Sequence, residues 1–478
     1  MSNLSELLPA GAGAKSASFV ASGTLGSGQT VALNSDGTVS AVAGLAEGAG
    51  SPSVFESATT NYTASAYDSF NNKVVIAYED NANSSYGTAV VGTVSGTSIS
   101  FGTPVVFASA ATIYVAATFD SISNQVIVAS RYAGIRGSAI VGAVSGTSIS
   151  FGSRGDFNLA NTGDIAVTFD SNENKVVVAY RDTANSNQGY SAVGTVSGTS
   201  ISFGAEVLVE TGYTAYTSLA YDSANNKVVV AYQDAGNSGY GTARVGAVSG
   251  TTISFGATAV FESANTTYIS ATFDSNSNKI VVAYTDGGNS SYGTAIVGTV
   301  TGSLISFGSP TVFSSVATYY AAAVFDTNSN QVVIAYRDNA NIDTRAIVGT
   351  VSGTSISFGS PTVLSSGSYN TYISAAYNSD EGTVAVAYKD VGNSGYGTSV
   401  VYVPPGLTNS ADFIGITDQA IADTATGAVI VQGGVSEKVS GLTTGSDYYV
   451  QDDGTLSTTV SSVPAGRALS TTSILLEG

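Results

Sequence analysis

The sequence predicts an all-β protein built mainly from one repeated unit, and three observations lead to this prediction. An aromatic residue followed by Asp or Asn and then Ser or Thr recurs seven times, at intervals of 52, 50, 52, 52, 52 and 52 residues. Each copy contains short apolar or alternating runs separated by turn residues, as in antiparallel strands. The composition favours strands and turns, with 27 Tyr, 55 Gly and only 10% charged residues. The markers are Asp68, Asp120, Asp170, Asp222, Asp274, Asp326 and Asn378.

Each unit is predicted to contain four strands, as residues 268–313 illustrate. The first strand is short and rich in small residues, and a DSNSNK turn follows it. The second strand, KIVVAY, is apolar on both faces, as expected of a strand between two neighbouring sheets. The third and fourth strands form a hairpin around a glycine. The hairpin glycines are Gly96, Gly146, Gly198, Gly250, Gly302 and Gly353.

The repeats are predicted to close into a ring. There are seven markers but six hairpin glycines, because the seventh unit ends after three strands near residue 403. A lone fourth strand, SPSVF, lies within residues 38–55, before the first complete unit. Joining these parts completes a seventh sheet and removes exposed strand edges. We therefore predict a seven-bladed β-propeller of four-stranded blades, closed by an N-terminal strand; the alternative is a β-solenoid.

The chain is predicted to have three segments. Residues 1–36 form an N-terminal segment, residues 37–403 the propeller, and residues 404–478 a small β domain for attachment or oligomerisation. The Pro pair and Gly of VPPGLTNSAD mark the linker. Because ring closure brings the propeller's ends together, the N-terminal segment is expected to pack with the C-terminal domain.

The small domain carries the most specific family resemblance in the sequence, and the propeller repeats less specifically resemble uncharacterised repeats of the same proteins. Residues 413–435, followed by GLTTGSDYYVQDDGTLSTT and AGRALSTTSILLEG, resemble C-terminal domains of virion proteins of tailed phages, especially marine and cyanobacterial ones. ASGTLGSGQTVALNSDGTVSAV, at residues 21–42, is similar to the N-terminal segment that accompanies them. The resemblance implies a tail fibre, head fibre or decoration protein, assembled in the host cytoplasm into the virion. It also implies other virion proteins as partners and a homo-oligomer such as a trimer.

Composition excludes several classes of function. The formal net charge of −19, without clustered Lys or Arg, argues against nucleic acid and anionic membrane surfaces as partners. No apolar run approaches 18 residues and residues 1–19 lack a signal-peptide pattern, so neither membrane insertion nor classical secretion is expected. The absence of His and Cys removes the common catalytic triads and zinc sites. We expect no enzyme, no cofactor and no metal.

Two repeated carboxylate motifs are expected to be structural. The marker Asp residues recur at equivalent positions, which suits turn capping better than a unique active site. D-x-x-N-S-x-Y-G-T follows the second strand, for example at Asp80, Asp234, Asp286 and Asp390. Asx-turn capping is the favoured interpretation of these loops, with Ca²⁺ binding as the alternative.

A candidate binding face lies where the loop after the second strand meets the crossover to the next blade. Both connections belong to the same face, and the crossovers vary in sequence while supplying many tyrosines. Tyr with Ser, Asn and Gly provides rigid contact area and adaptable hydrogen bonding. The crossover tyrosines are Tyr62, Tyr114, Tyr213, Tyr216, Tyr268, Tyr319, Tyr320, Tyr369 and Tyr372, and the loop tyrosines are Tyr86, Tyr240, Tyr292 and Tyr396.

The predicted function is host-surface binding, by a glycan or protein ligand at this face. The competing interpretation is that many of these tyrosines begin the first strand and pack between blades. Two alternative functions remain open: a purely structural spacer or ornament, and a glycosidase with two carboxylates converging about 5 to 9 Å apart.

Overall fold

The computed structural model describes residues 16–34, 37–43, 46–406 and 410–477. The chain forms two compact units: Gly48–Pro404 is one, and the described parts of Met1–Glu47 and Pro405–Gly478 are the other. Apart from three short 3-10 helices, Ala235–Asn237, Val391–Asn393 and Ser410–Asp412, the regular structure in the described ranges is β. None of the described helices has the length and apolar character that a membrane crossing requires.

The larger unit contains seven repeats, numbered here 1 to 7 by their markers from Asp68 to Asn378. Each has an inner strand that ends at its marker, then a second and a third strand. The second strands are Lys73–Asp80, Gln125–Tyr132, Lys175–Asp182, Lys227–Asp234, Lys279–Asp286, Gln331–Asp338 and Thr383–Asp390. The third strands are Tyr86–Ser95, Arg136–Ser145, Gln188–Ser197, Tyr240–Ser249, Tyr292–Thr301, Asp343–Ser352 and Tyr396–Val403. Neighbouring strands within each repeat are antiparallel.

The fourth strand of each repeat is interrupted, and its second part continues into the next repeat. The short first parts are Ser98–Phe101, Ser148–Phe151, Ser200–Phe203, Thr252–Phe255, Leu304–Phe307 and Ser355–Phe358. The second parts merge with the next inner strand in Ser53–Asp68, Val105–Asp120, Val207–Asp222, Ala259–Asp274 and Thr311–Asp326. In two repeats the merged strand is split, into Gly155–Asn158 with Thr162–Asp170 and into Thr362–Ser365 with Thr371–Asn378.

These long strands correct the sequence interpretation of the crossovers as loops. In Ala259–Asp274 the first half pairs with the third strand of repeat 4, and the second half pairs with the second strand of repeat 5. Residues such as ESANTTY contain Thr and Tyr but no Gly or Pro, so strand pairing can run through them. Eight of the nine crossover tyrosines therefore lie on strands, and Tyr369 lies in the break between Thr362–Ser365 and Thr371–Asn378.

The two ends of the larger unit are paired with each other. Gly48–Ala49 and the start of Ser53–Asp68 pair with Tyr396–Val403, the last strand of repeat 7. Each inner strand contacts the inner strands of the repeats before and after it, and the inner strand of repeat 7 contacts that of repeat 1. The predicted pairing of an N-terminal strand with the last repeat is therefore present.

The core lies between consecutive repeats, around their second strands. In repeat 5, Ile280, Val281, Val282 and Ala283 are fully buried, as the apolar character of both strand faces predicts. Side chains of repeats 4 and 5 form one apolar cluster. The inner strands are linked by serines: the hydroxyl of Ser270 accepts the backbone N–H of Ala323 at 2.9 Å.

The smaller unit consists of two five-stranded sheets. One has the order Ser16–Val20, Thr426–Val431, Phe413–Thr417, Thr30–Leu33 and Val39–Ala41. The other has the order Val435–Ser436, Ile474–Leu476, Pro464–Ala468, Asp447–Val450 and Leu456–Ser457. A shared apolar core, which includes Ala32, Ile416 and Val450, joins the two sheets.

The boundary between the units differs from the predicted division between residues 36 and 37. Val39–Ala41 pairs with Thr30–Leu33, so these residues belong to the smaller unit, which extends to Glu47. The fourth strand that completes repeat 7 therefore begins at Gly48. Residues 1–15, the first part of the predicted N-terminal segment, lie outside the described ranges.

Candidate functional site

Every inner strand has a β-bulge near its start. In repeat 1, Asn61 is paired with Glu79 and Ala64 with Ala77, so two residues of the inner strand lie opposite one residue of the second strand. The same register shift occurs in the other six repeats. A bulge of this kind turns the strand locally and redirects a side chain.

The first bulge residue has a left-handed backbone conformation, and in six repeats it is a tyrosine. The residues are Tyr62, Tyr114, Tyr216, Tyr268, Tyr320 and Tyr372, with φ between 50° and 55°. Glycine normally occupies such a position, and a bulky residue there is an outlier. Strain of about 1–3 kcal/mol per residue is typical of such conformations and concentrates at functional sites.

The six tyrosines form an open ring of aromatic contacts, which we call the tyrosine ring. Their ring centroids are 5.3 Å apart for Tyr62 and Tyr114, and 4.7 Å apart for Tyr62 and Tyr372. The series continues from Tyr372 to Tyr320 at 5.8 Å, to Tyr268 at 4.7 Å and to Tyr216 at 5.1 Å. These distances suit tilted aromatic pairs, so side chains from six repeats come together at one place.

Repeat 3 leaves the ring open because Asp164 takes the place of the seventh tyrosine. Its φ of 45° is the same left-handed conformation, which Asp tolerates better than Tyr. An Oδ2 atom of Asp164 lies 3.0 Å from Nη2 of Arg181, and both side chains are largely buried. Burial raises the pKa of the Asp164 carboxyl, and the Arg181 guanidinium opposes that rise.

A second set of side chains surrounds the tyrosine ring, one from each second strand. In each second strand, one buried residue lies opposite the two bulge residues, and the side chain described here belongs to the next residue along the strand. That next residue is paired with the inner-strand residue that precedes the bulge. This position varies among the repeats, whereas the strand residues before it are nearly constant. The seven residues are Glu79, Arg131, Arg181, Gln233, Thr285, Arg337 and Lys389.

Most of these seven side chains bond to neighbouring protein groups. Lys389 donates to Asn61, which donates to Glu79, at 2.9 and 3.0 Å. Gln233 donates to Asn265 at 2.8 Å. The remaining donors are Arg131, to the Asn161 side chain at 2.9 Å, Arg181, to the Tyr213 hydroxyl, and Thr285, to the Thr318 carbonyl at 2.6 Å.

Burial favours the protonated, uncharged form of five of the six ring hydroxyls. It raises the pKa of Tyr268 to about 12, with the neighbouring Tyr320 adding to the rise and Arg337 opposing it. Burial is also the largest cause of the raised pKa values of Tyr62, Tyr216, Tyr320 and Tyr372. At neutral pH the ring therefore presents uncharged hydroxyl groups that can donate and accept hydrogen bonds.

The other predicted tyrosines lie outside the ring. Tyr213 and Tyr369 are 39% and 47% exposed, beside Arg181 and Arg337 respectively. The loop tyrosines begin the third strands, two strands outward from the ring, and are partly buried; they are Tyr86, Tyr240, Tyr292 and Tyr396. The predicted set is thus divided between a ring and an outer group.

The repeated carboxylates cap turns, as predicted. Oδ1 of Asp274 accepts the backbone N–H groups of Asn276 and Ser277, both at 2.9 Å. In the loop after the second strand, Oδ1 of Asp286 accepts from Gly288 and Asn289 in the same way. Within the described ranges, no group of three or more Asp or Glu side chains is placed to hold a metal ion.

Comparisons with known proteins give a fold but no family. No protein-family model matches the chain, and no curated protein matches it. Among solved structures, the BP39L lectin from Burkholderia pseudomallei is similar, with a TM-score of 0.56 and 15% identity over 74% of this chain and 98% of that chain. The similarity supports a β-propeller fold.

Two further solved structures match the chain at lower scores. AofleA from Arthrobotrys oligospora has a TM-score of 0.42 and 13% identity, over 66% of this chain and 93% of its own. A mutant of the Aleuria aurantia lectin, in complex with Fucalpha1-6GlcNAc, has a TM-score of 0.42 and 15% identity, over 65% and 97%. Of these three similarities, that to BP39L is the one with a score high enough to indicate a shared fold.

Sequence reasoning missed the charged residues around the tyrosine ring. Arg131, Arg181, Arg337 and Lys389 were not predicted as site residues, and neither was Asp164. A usable signal was present, because the residue after the AY of the second strand, or after the AS in repeat 2, changes from Glu to Arg, Gln, Thr or Lys within an otherwise regular repeat. Variation confined to one position of a repeat indicates a surface that differs between repeats.

Proposed function

We propose that this chain is a non-enzymatic, carbohydrate-binding β-propeller with seven blades. Seven repeats, the pairing of Gly48–Ala49 with Tyr396–Val403, and the cycle of inner-strand contacts support that number of blades. The tyrosine ring is the observation that carries the binding function. Six strained tyrosines converge on one place and are surrounded by polar side chains that vary between repeats.

Carbohydrate is the proposed ligand class for two reasons. Flat aromatic rings with hydroxyl groups, beside amide and charged side chains, suit a ligand that has both apolar faces and many hydroxyls. BP39L, the similar structure with the shared fold, is named a lectin. The ring is the proposed glycan-binding part of the wider tyrosine-bearing face predicted from the sequence.

A glycosidase is less well supported by the ring's chemistry. Glycoside hydrolysis uses two carboxyl groups as acid and base or nucleophile. The two carboxylates around the ring are Glu79 and Asp164, and both are already bound, to Asn61 and Arg181 respectively. The marker carboxylates are occupied by turn N–H groups. The arrangement supports binding rather than catalysis.

A glycan array probed with the full-length chain tests the binding function. We expect binding to a subset of glycans and at least a tenfold loss in the Tyr268→Gly variant, because glycine adopts the left-handed conformation freely and removes the aromatic face. The variant's melting temperature should not fall greatly, since backbone strain is relieved as packing is lost. No glycan binding by the wild type, or unchanged binding by the variant, would exclude the ring as a lectin site and favour a structural spacer.

We also propose that the chain works in a tailed-phage virion, where the smaller unit attaches it and the propeller binds the host surface. The resemblance of residues 413–435 and 21–42 to phage fibre and decoration proteins supports this role. Immunogold labelling of intact particles with antibodies against residues 410–477 tests it, and unlabelled particles would contradict it. Light scattering of the purified chain tests the expected homo-oligomer, such as a trimer; a monomer would contradict that expectation.

A further inference from the structure

We propose that the tyrosine ring recognises an acidic saccharide, and that Arg337 binds its carboxylate. The proposal rests on the carbohydrate-binding function and specifies the class of sugar. It follows from the surroundings of Arg337, from its comparison with the six equivalent residues, and from the local balance of charge.

Arg337 lies among three tyrosines, and none of them neutralises its charge. Its guanidinium carbon is 4.7 Å from the ring centre of Tyr319, 5.2 Å from that of Tyr320 and 5.9 Å from that of Tyr369. These are cation–π distances. The Nε atom is buried and has no hydrogen-bond partner. In the part of the chain that the structure describes, no carboxylate lies within the 4.0 Å ion-pair distance of this guanidinium.

The equivalent arginines of two other repeats are already engaged. Arg181 forms an ion pair with Asp164, and Arg131 donates to the Asn161 side chain at 2.9 Å and to the Thr162 carbonyl at 3.3 Å. Their Nε atoms also lack partners, but their terminal nitrogens do not. All three guanidinium groups lie over tyrosine rings, Arg131 over Tyr114 and Arg181 over Tyr213. Within the described ranges, Arg337 differs in having these aromatic contacts without an oxygen acceptor.

The charge around the ring is opposite in sign to that of the whole chain. The seven positions around the ring hold three arginines, one lysine and one glutamate, and Asp164 adds a second acid, for a local net charge of +2 against −19 overall. The positive potential near the ring attracts anions, whereas the negative charge on the rest of the protein repels them.

A saccharide carboxylate fits this arrangement. The guanidinium fork matches the planar carboxylate with two parallel hydrogen bonds. Arg337 is partly exposed and the neighbouring Tyr369 is 47% exposed, so a ligand can approach this cluster from solvent. The tyrosine faces would cover the sugar's C–H groups while the protonated hydroxyls bond to the sugar hydroxyls. The ligand would then supply the hydrogen-bond acceptors that Arg337 does not find among its described protein neighbours.

Calorimetry with the full-length chain tests the proposal, using glucuronic acid, glucose and acetate as ligands. We expect glucuronic acid to bind at least about tenfold more tightly than glucose or acetate, because a charge-assisted pair is added to the sugar contacts. Arg337→Ala should lose that tenfold preference, and Arg337→Lys should keep only part of it, since lysine has charge without the planar fork. Lys279→Ala, the same charge change at the turn end of a second strand, is the matched control and should bind like the wild type.

The outcomes separate this proposal from the carbohydrate-binding function. Equal affinity for glucose and glucuronic acid, or unchanged glucuronic acid binding in Arg337→Ala, would overturn the acidic-saccharide proposal and leave carbohydrate binding intact. If acetate binds as tightly as glucuronic acid, the proposed ligand is a simple carboxylate and not an acidic saccharide. Failure of every glycan on the array would remove both functions. Melting temperatures within a few degrees of the wild type would show that the variants are folded.

Discussion

Repeats 3 and 6 have different residues at the first position of the bulge, and the arginine on the adjacent second strand is in a different state in each. Arg181 and Tyr213 in repeat 3 correspond to Arg337 and Tyr369 in repeat 6. At the bulge, repeat 3 has Asp164, which forms an ion pair with Arg181, whereas repeat 6 has Tyr320, whose ring lies 5.2 Å from the Arg337 guanidinium carbon.

The comparison shows how one scaffold supplies two kinds of site. We call a site closed when its arginine is paired with a carboxylate of the chain, and open when the arginine lies among aromatic rings without such a partner. A guanidinium paired with a neighbouring carboxylate has little left to offer an anion. One placed among aromatic rings keeps its hydrogen-bond donors for a ligand. The backbone at the bulge is similar in both repeats, since Asp164 and Tyr320 share the left-handed conformation, with φ values of 45° and 55°. The difference therefore arises from the side chains, and single substitutions should interconvert the two states.

We expect the largest effect, on glucuronic acid binding, from a substitution that converts repeat 6 into the closed state. Tyr320→Asp places a carboxylate where Asp164 lies, and Asp tolerates the required conformation. Arg337 should then be neutralised, and glucuronic acid binding measured by calorimetry should weaken at least about tenfold. Tyr320→Phe keeps the ring face without a carboxylate and serves as the control; equal weakening by both variants would contradict the charge explanation.

The next effect concerns stability. Arg181→Ala leaves Asp164 largely buried without its partner, so it should lower the free energy of unfolding by about 1–3 kcal/mol. Arg337→Ala removes only cation–π contacts and should cost less than about 1 kcal/mol. Urea denaturation of both variants measures the difference. A larger loss for Arg337→Ala would mean that its role is structural.

The reverse substitution should open repeat 3. Asp164→Asn removes the carboxylate but keeps a residue that accepts the left-handed conformation. Arg181 then becomes available, and we expect a second, weaker glucuronic acid site in calorimetric titrations. Asp156→Asn, which removes the partner of Arg136 outside the ring, is the matched control and should leave the stoichiometry unchanged. If Asp164→Asn still binds glucuronic acid at a single site, the open state requires a tyrosine at the bulge, as Tyr320 provides in repeat 6.

The smallest effect is on the pH dependence of stability. Burial raises the pKa values of Asp164, Asp234, Glu56 and Glu262 in the folded chain. The folded state therefore holds more protons than the unfolded state at pH values between the ordinary pKa values of these groups, 3.8 to 4.5, and the raised ones. Stability should rise as pH falls through that window, and Asp164→Asn should show a smaller rise. Melting temperatures at about pH 5 and pH 7.5 check this; a wild type more stable at the higher pH would contradict it.

The sequence predicted the repeat well because its signals are local. The spacing of the markers, the glycines with φ between 55° and 63° at the hairpins, and the doubly apolar second strands each determine structure within a few residues. The pairing of the chain's early residues with Tyr396–Val403 followed from counting strands. The placement of Val39–Ala41 in the smaller unit could not be predicted, because it depends on pairing with Thr30–Leu33 rather than on the composition of the segment.

The candidate site was only partly predictable for the same reason. The tyrosines were visible as a recurring residue at the start of each inner strand, but the bulge that directs them into one ring is a property of strand pairing. The role of Arg337 could not be predicted from the sequence, because it depends on contacts with Tyr319, on an inner strand, and with Tyr369, in the connection that precedes the next inner strand. Comparing equivalent positions across the repeats would have pointed to these second-strand residues.

A crystal structure of the chain with bound glucuronic acid tests the central claim most directly. We predict electron density for the carboxylate within hydrogen-bond distance of the Arg337 guanidinium, with the sugar ring against Tyr319 or Tyr369. The same soak with Arg337→Ala crystals should leave the site empty. Density for the sugar away from the tyrosine ring, with Arg337 unchanged, would contradict the account and assign saccharide binding to another part of the propeller.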